Sequence, residues 1–335
     1  MKIFSALFAS LAICLSAIAP AKAAEVDLTM VMIPGPGSIY QETVLQVPEV
    51  VSKATGGRVN ITINNSLVKG TQLAPSVRDG RAQMSAVLHP YLSSGDPRMG
   101  LPHLPGLIES IEEYKFVWDA FYGKMLSDIW LEKWNSVVLA EGAFCTQNLW
   151  STSPIQNIED FKGKKIRVNN TESAHLLDAL GAKPTPIAWG EIPSALQRGL
   201  IDGIMSASCA GHQHGFGKIT KHLQNWKTGP IVGWAVLINK DVWAKIPADL
   251  QAPMKKALWD LQENAFHTYY VYQNSVEKKI EAEGAQFWVA PDSKLKELFV
   301  PKYTDAVYKA WYDRAEKLGI DGKAMVQRVR TTLGK

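Results

Sequence analysis

Residues 161–203 read FKGKKIRVNNTESAHLLDALGAKPTPIAWGEIPSALQRGLIDG. They place Arg167 within residues 165–168, a segment that is predicted to form a buried strand after a turn at Gly163. An arginine is rarely buried without a partner, because an unpaired buried charge is expensive. The planar guanidinium suits a carboxylate in bidentate geometry, so Arg167 is a candidate anion-binding residue. A structural ion pair with an internal Asp or Glu is the alternative, and the sequence leaves it open.

The first 23 residues have the pattern of an export signal. Lys2 supplies a positive start, residues 3–18 are mostly apolar, and Ala21-Lys22-Ala23 fits a cleavage site. The apolar run is too short and too rich in small residues for a transmembrane helix. We therefore predict a signal peptide over 1–23 and a mature, periplasmic chain that begins near Ala24.

Size and charge limit the function classes. The chain has 335 residues, 36 Lys and Arg, 32 Asp and Glu, and a formal net charge of +4. Removal of the signal leaves a length that suits two domains better than one. No block of Lys and Arg stands out, so a nucleic-acid partner is not expected.

Motifs for catalysis and metal binding are missing from the sequence. It contains no G-x-S-x-G, Walker A, G-x-G-x-x-G or H-E-x-x-H pattern, so we expect no catalytic residue and no cofactor. Cys145 and Cys209 remain after cleavage, and neither belongs to a CxxC pair, so a metal site is not expected. His212 and His214 alone do not make one either. An oxidising compartment permits a disulfide, but the sequence does not show that the two cysteines meet.

Short strands alternate with helices, which predicts α/β lobes with largely parallel sheets. Residues 143–151 and 231–239 are candidate strands that cross between two lobes. A helix from Pro247 to Glu283 is longer than an ordinary globular helix. A helix over 111–134 follows from its apolar spacing, and two helices are expected at the C-terminus. The other predicted strands are 26–32, 59–63, 83–88, 137–141 and 286–289.

A combination of segments resembles one known family, the solute-binding proteins of tripartite ATP-independent periplasmic (TRAP) transporters. The resemblance covers essentially the whole mature chain. It implies a type II periplasmic binding fold of two α/β lobes, joined by crossing strands and a long spanning helix. The segments that carry it are Lys162–Val168, Pro184–Pro186, Glu191, Ala195–Gln197 and Ile201–Gly203, with Asp96–Pro105 and Pro247–Gln251 agreeing in character.

The resemblance implies lobe boundaries and partners. Lobe I is expected to hold residues 24–143 plus about 233–271, and lobe II about 144–232 plus 272–335. The protein is expected to be a monomer that captures a small organic acid by cleft closure and delivers it to integral membrane transporter subunits. A sulfonate or other organic anion as ligand, or a sensor or ATP-driven permease as partner, stays open. A periplasmic hydrolase is a more distant alternative.

The family's carboxylate-binding arginine matches Arg167. Many members carry a second arginine twenty residues earlier, where this chain has Gln147, which favours one acidic group over two. Tryptophan offers a flat apolar face, so Trp189 is expected to form a wall for an apolar or aromatic ligand body. The full set of predicted ligand-binding residues is Arg167, Trp189, Gln147, Asn148, Ser206, His89, Ile33, Leu88, Trp150 and Trp234.

Overall fold

The computed structural model describes residues 24–33, 39–68, 70–187, 189–227 and 231–335, so the predicted signal peptide lies outside the described residues. Ten strands occur in these ranges. They are β1 Val26–Val31, β2 Val59–Asn64, β3 Met84–Leu88, β4 Ser136–Ser151, β5 Lys165–Val168, β6 Lys183–Pro186, β7 Gly203–Ala207, β8 His222–Asn225, β9 Ile231–Asn239 and β10 Gln286–Val289.

The helices of the described ranges cover both sides of these strands. A π-helical turn at Trp118–Tyr122 joins the fourth and fifth helices, so the predicted helix over 111–134 is continuous. The helices are α1 Ile39–Leu45, α2 Val47–Ala54, α3 Leu73–Arg78, α4 Ile111–Val117, α5 Gly123–Trp134, α6 Thr171–Ala179, α7 Ile192–Gln197, α8 Ser208–Gln213, α9 Phe216–Thr220, α10 Lys240–Lys245, α11 Ala248–Ala282, α12 Asp292–Leu298, α13 Pro301–Lys317 and α14 Gly322–Leu333.

Two sheets share the long strand β4. Its first part lies at the end of the order β2-β1-β3-β9-β4. Its last residues lie between β7 and β8, with β5 and β6 beyond β7 and β10 beyond β8. The crossing strands predicted at 143–151 and 231–239 therefore correspond to β4 and β9. The prediction of largely parallel sheets holds for five of the nine strand pairs in the described residues. The other four pairs are antiparallel, and each of them involves β4 or β9.

Helix α11 braces the crossing strand. It has 35 residues and, at 1.5 Å per residue, a length of about 52 Å. The pairing of β4 with β9 shifts register between Ala143 and Thr146. Backbone groups at such irregularities need other partners. Gln273 of α11 accepts a hydrogen bond from the Thr146 amide at 3.2 Å, and Gln262 accepts one from the Glu141 amide at 2.7 Å.

The apolar core forms two clusters of buried side chains. One contains Trp130, Trp226 and Trp311, and the other contains Trp150 and Trp234. Burial on both sides explains the nearly continuous apolar runs in the central strands. None of the helices in the described part of the chain combines the length and apolarity needed to span a membrane.

The C-terminal region differs from the sequence prediction. Three helices, α12, α13 and α14, follow β10 where two were expected. The additional boundary falls at Val300-Pro301, where Pro301 opens α13 at a position that needs no amide donor. Trp311 of α13 donates a hydrogen bond to the Pro97 carbonyl at 2.7 Å, which fixes these helices to the segment after β3.

Candidate ligand-binding site

A cavity lies where the two sheets meet. It is narrow, with a volume of about 40 Å³, and is partly open to solvent. It joins a wider outer cleft through the shared residues Ile33, Tyr91, Arg167, Asn169 and Trp189. The full lining is Ile33, Tyr40, Gln41, Leu88, Tyr91, Phe144, Gln147, Arg167, Asn169, Trp189, Ser206, Ala207, Ala210 and His214.

Arg167 is the central cation of this lining. Strand β5 holds it between β6 and β7, and its side chain is about 2% exposed. Its Nε donates to the Ile187 carbonyl at 3.1 Å. Among the described residues no carboxylate lies within 4.0 Å of its guanidinium, so the structural ion pair left open by the sequence is not found there. Burial lowers the pKa of Arg167, and the electrostatic interaction with the Tyr91 phenol acts in the opposite direction.

Trp189 packs against this guanidinium. The ring centroid lies 5.6 Å from the Arg167 Cζ, within the range of a cation–π contact. Its indole Nε1 donates to Nε2 of His214 at 3.2 Å. Phe216 lies behind the indole, with 5.7 Å between ring centroids. The Trp189 indole is therefore a flat apolar part of the cavity wall, held in place by His214 and Phe216.

Gln147 adds a buried amide to the lining. Its side chain is 3% exposed, and Oε1 has no hydrogen-bond partner among the residues that the structure describes. An unpaired buried acceptor costs about 1–3 kcal/mol. Gln147 is thus available to a ligand N–H or O–H, and Ser206 and Asn169 provide further polar groups in the same cavity.

Six of the ten predicted site residues line the cavity, namely Arg167, Trp189, Gln147, Ser206, Ile33 and Leu88. Asn148 does not. It follows Gln147 along β4, and successive side chains of a strand point to opposite faces. Trp150 and Trp234 do not line it either, because both are fully buried in the core. The Trp234 indole donates to the Ala143 carbonyl and the Tyr269 hydroxyl, both at 3.2 Å.

His89 also lies outside the cavity lining, in a buried polar cluster below the end of β3. Its Nε2 is 3.6 Å from Oε1 of Glu141, and Trp118 donates to the other oxygen of that carboxyl at 2.8 Å. Burial lowers the pKa of His89 to about 3 and raises the pKa of Glu141 to about 8. Both groups are therefore neutral at neutral pH. His89 supports the strand end that carries Leu88.

Several lining residues were missed by the sequence reasoning, chiefly Tyr40, Gln41, Tyr91, Asn169 and His214. Asn169 follows the end of β5, and Tyr91 lies just beyond the end of β3. Ligands of α/β sheets bind beyond the carboxyl ends of strands, which is a signal that could have identified both residues. His214 is brought in by helix α8, and no local pattern in the sequence indicates that contact.

A disulfide joins Cys145 of β4 to Cys209 of α8, with 6.1 Å between their Cα atoms. This answers the question that the sequence left open. The neighbouring residues Phe144 and Ala210 line the cavity, so the bond links two elements of its wall. Within the described ranges, no three His, Cys, Asp or Glu side chains are grouped as metal ligands.

Comparisons with known proteins agree with this architecture. The family model of bacterial extracellular solute-binding protein family 7, DctP, matches residues 30–314. The C4-dicarboxylate-binding periplasmic protein DctP of Rhodobacter capsulatus is 26% identical over 268 residues, which are 77% of this chain and 78% of that protein.

Two solved structures share the fold. The Bordetella pertussis extracytoplasmic solute receptor DctP7, binding pyroglutamic acid, has a TM-score of 0.82 at 22% identity and covers 91% of this chain and 99% of that one. A TRAP solute-binding protein of Ralstonia eutropha H16, with bound (S)-2-acetolactate, has a TM-score of 0.83 at 21% identity, with coverages of 92% and 98%. The chain therefore belongs to bacterial extracellular solute-binding protein family 7, the TRAP-type family indicated by its sequence, and is a binding protein with a type II periplasmic binding fold rather than an enzyme.

Proposed function

We propose that this protein captures a small organic monocarboxylate with an apolar or aromatic body in the periplasm and delivers it to the membrane subunits of a TRAP transporter. The observation that carries the proposal is Arg167. It is a nearly fully buried guanidinium in the cavity, with no carboxylate partner among the described residues. A ligand carboxylate would neutralise it in bidentate geometry.

The charge of the cavity supports a single acidic group. Arg167 is the one Lys or Arg among the described lining residues. Gln147 occupies the position of the second arginine found in many members of this family, and it offers an amide without a charge. A second ligand carboxylate would lose its hydration without gaining a cationic partner, which is costly in a closed cleft.

The apolar part of the lining supports the ligand body. Trp189, Phe144 and Leu88 present apolar surface to the cavity, and Trp189 is held with its ring beside the guanidinium. The Bordetella and Ralstonia proteins with this fold bind pyroglutamic acid and acetolactate, which are small monocarboxylates. A planar or branched acid of similar size fits the same combination of one cation, one flat wall and a few amides.

Capture would occur by closure of two lobes. We place lobe I at residues 24–143 plus about 233–271 and lobe II at about 144–232 plus 272–335. Tyr91 then belongs to lobe I and Arg167 to lobe II. Both side chains line the cavity, from opposite lobes in this division. An incoming carboxylate would take over the guanidinium, while Tyr91 and Leu88 complete the lid.

A thermal-shift screen of the mature protein, stripped of bound ligand, tests the proposal. The panel pairs benzoate, pyroglutamate and crotonate with their amides and adds succinate, a sugar acid and a sulfonate. A ligand that binds only the native state raises the melting temperature. We expect a shift with at least one monocarboxylate and none with its amide. Shifts confined to neutral compounds, or larger shifts with succinate than with every monocarboxylate, would contradict the proposal.

A further inference from the structure

His214 contacts the cavity in a way that the proposed function does not yet use. It follows helix α8, and Gly215, at φ 67°, turns the chain immediately after it. The imidazole stands edge-on to the Trp189 indole, with ring centroids 4.8 Å apart and planes at 90°. Phe216 packs on the imidazole at 5.8 Å between ring centroids. The ring of His214 is therefore held between two aromatic side chains.

The direction of the hydrogen bond fixes the protonation of His214. An indole N–H only donates, so the Nε2 atom that accepts it at 3.2 Å carries no proton. The imidazole is thus neutral, with its proton on Nδ1. A protonated ring has no acceptor atom, so protonation breaks this contact and places a positive charge in the cavity wall.

We propose that His214 selects the charge of the ligand. As a neutral imidazole it holds Trp189 beside Arg167, so that the cavity presents one cation and accepts a monoanion. As an imidazolium it releases the indole and supplies a second cation, so that the cavity accepts a dianion more readily. This inference rests on the proposed function, because it refines the class of acid bound at the same site.

The surroundings of His214 support a change of charge at this position. The other titratable groups of the described lining are the phenols of Tyr40 and Tyr91 and the guanidinium of Arg167. His212, on the same helix, turns to Glu283, with 3.5 Å between Nδ1 and Oε2. Burial lowers the pKa of His214, so the imidazolium forms below the ordinary range of histidine.

The distance between the two cations suits a short diacid. The Trp189 ring centroid is 5.6 Å from Arg167 Cζ and 4.8 Å from the His214 ring centroid. The guanidinium and the imidazole are therefore no more than about 10 Å apart, which two carboxylates on a chain of a few carbons can bridge.

The first test needs no ligand. The mature protein is labelled with ¹⁵N-tryptophan, the Trp189 indole signal is assigned with Trp189→Phe, and its chemical shift is followed from about pH 8 to about pH 5. We expect the signal to titrate below about pH 6.5 in the wild type. It should stay constant in His214→Gln, whose amide oxygen accepts the indole N–H without a charge. Equal pH profiles in the two proteins would overturn the proposal.

The second test measures charge selection by calorimetry. Crotonate and fumarate share a four-carbon skeleton, and both fumarate carboxyls stay ionised at about pH 5.5. Benzoate and terephthalate form an aromatic pair. We expect the affinity of the diacid relative to the monoacid to rise about tenfold from about pH 8 to about pH 5.5 in the wild type. No rise in this affinity ratio is expected in His214→Gln. Because the ligands titrate in the same way with both proteins, the variant also serves as the control for ligand ionisation.

The same rise in both proteins, or none in the wild type, would overturn the charge selection. Failure of all four acids to bind at either pH would overturn it as well. The proposed function is judged separately, by the thermal-shift panel, because a monocarboxylate outside these pairs can satisfy that proposal. Titration of the indole signal in turn reports the contact between His214 and Trp189 whether or not any acid binds.

Discussion

Replacement of Arg167 by glutamine should separate ligand binding from stability. The wild-type guanidinium is about 2% exposed and lacks a carboxylate partner in the described part of the chain, so the ligand-free protein carries the desolvation cost of a charge. Glutamine removes that charge and can still donate toward the Ile187 carbonyl, which accepts from Arg167 at 3.1 Å. The ligand-free variant should therefore be as stable as the wild type or more stable.

The expected changes in stability and affinity follow from the interactions that the ligand-free and the ligand-bound variant lose. The ligand-free variant loses a cation–π contact with Trp189, worth about 1 kcal/mol, and gains relief from a desolvation penalty of several kcal/mol. In the complex, the buried ligand carboxylate loses its charged partner, which reduces the binding free energy by about 3–5 kcal/mol. The affinity should fall by a factor of about 10² to 10³ or more.

Arg314 provides the matched control. It lies outside the cavity lining, and its guanidinium pairs with the fully buried carboxylate of Glu172 and donates to the Ser93 carbonyl at 2.7 Å. Arg314→Gln leaves Glu172 without its ion-pair partner, so the free energy of unfolding should fall by about 3–5 kcal/mol while the affinity for the acid is kept. Arg314→Lys keeps the charge and serves if the glutamine variant does not fold.

Urea unfolding of the ligand-free proteins and calorimetry with the best acid of the panel give the two quantities. We expect Arg167→Gln to lose affinity without losing stability, and Arg314→Gln to lose stability without losing affinity. The reasoning is refuted if Arg167→Gln loses as much stability as Arg314→Gln, because the arginine would then be structural. It is also refuted if Arg167→Gln binds the acid with wild-type affinity.

Three further predictions concern other parts of the molecule. Trp189→Ala should lower the affinity for benzoate at least tenfold more than the affinity for acetate, as measured by calorimetry, because only the larger acid covers the indole face. Equal losses of affinity for the two acids would make Trp189 a packing residue. Replacing Cys145 and Cys209 by alanine opens a loop of 64 residues and should lower the free energy of unfolding by about 4 kcal/mol in urea; a loss below about 1 kcal/mol contradicts this. Burial raises the pKa of Glu141 to about 8, so this carboxyl contributes a loss of about 1.4 kcal/mol of stability per pH unit as pH rises from about 4.5 to 8. The lowered pKa of His89 contributes with the opposite sign below about pH 6.5, so the contribution of Glu141 shows directly above that pH. Between about pH 6.5 and 8, stability from urea unfolding should fall less steeply in Glu141→Gln than in the wild type, and equal slopes would refute it.

Local patterns in the sequence predicted most elements of the fold. Period-two runs, turn glycines and apolar helix spacing located β1, β2, β3, β10 and the long helix α11 within a few residues. They did not predict the antiparallel pairing of β4 and β9. That direction depends on β9 lying between β3 and β4, a contact between segments far apart in sequence.

The sequence likewise predicted only part of the candidate site. Arg167 and Trp189 lie in the motif-rich stretch, and both line the cavity. Trp150 and Trp234 were expected there because they lie on crossing strands, but a strand has two faces and theirs point into the core. The contact of His214 with Trp189 joins two separate helical segments, so neither segment indicates it alone.

The central position of β9 has a consequence for how the chain matures after export. Strand β3 pairs with a partner about 150 residues later in the chain, so the first sheet stays incomplete until most of the polypeptide has crossed the membrane. Such distant pairing slows folding and leaves apolar strands exposed in the meantime. The strands of the first sheet would therefore stay available to chaperones until β9 pairs with β3.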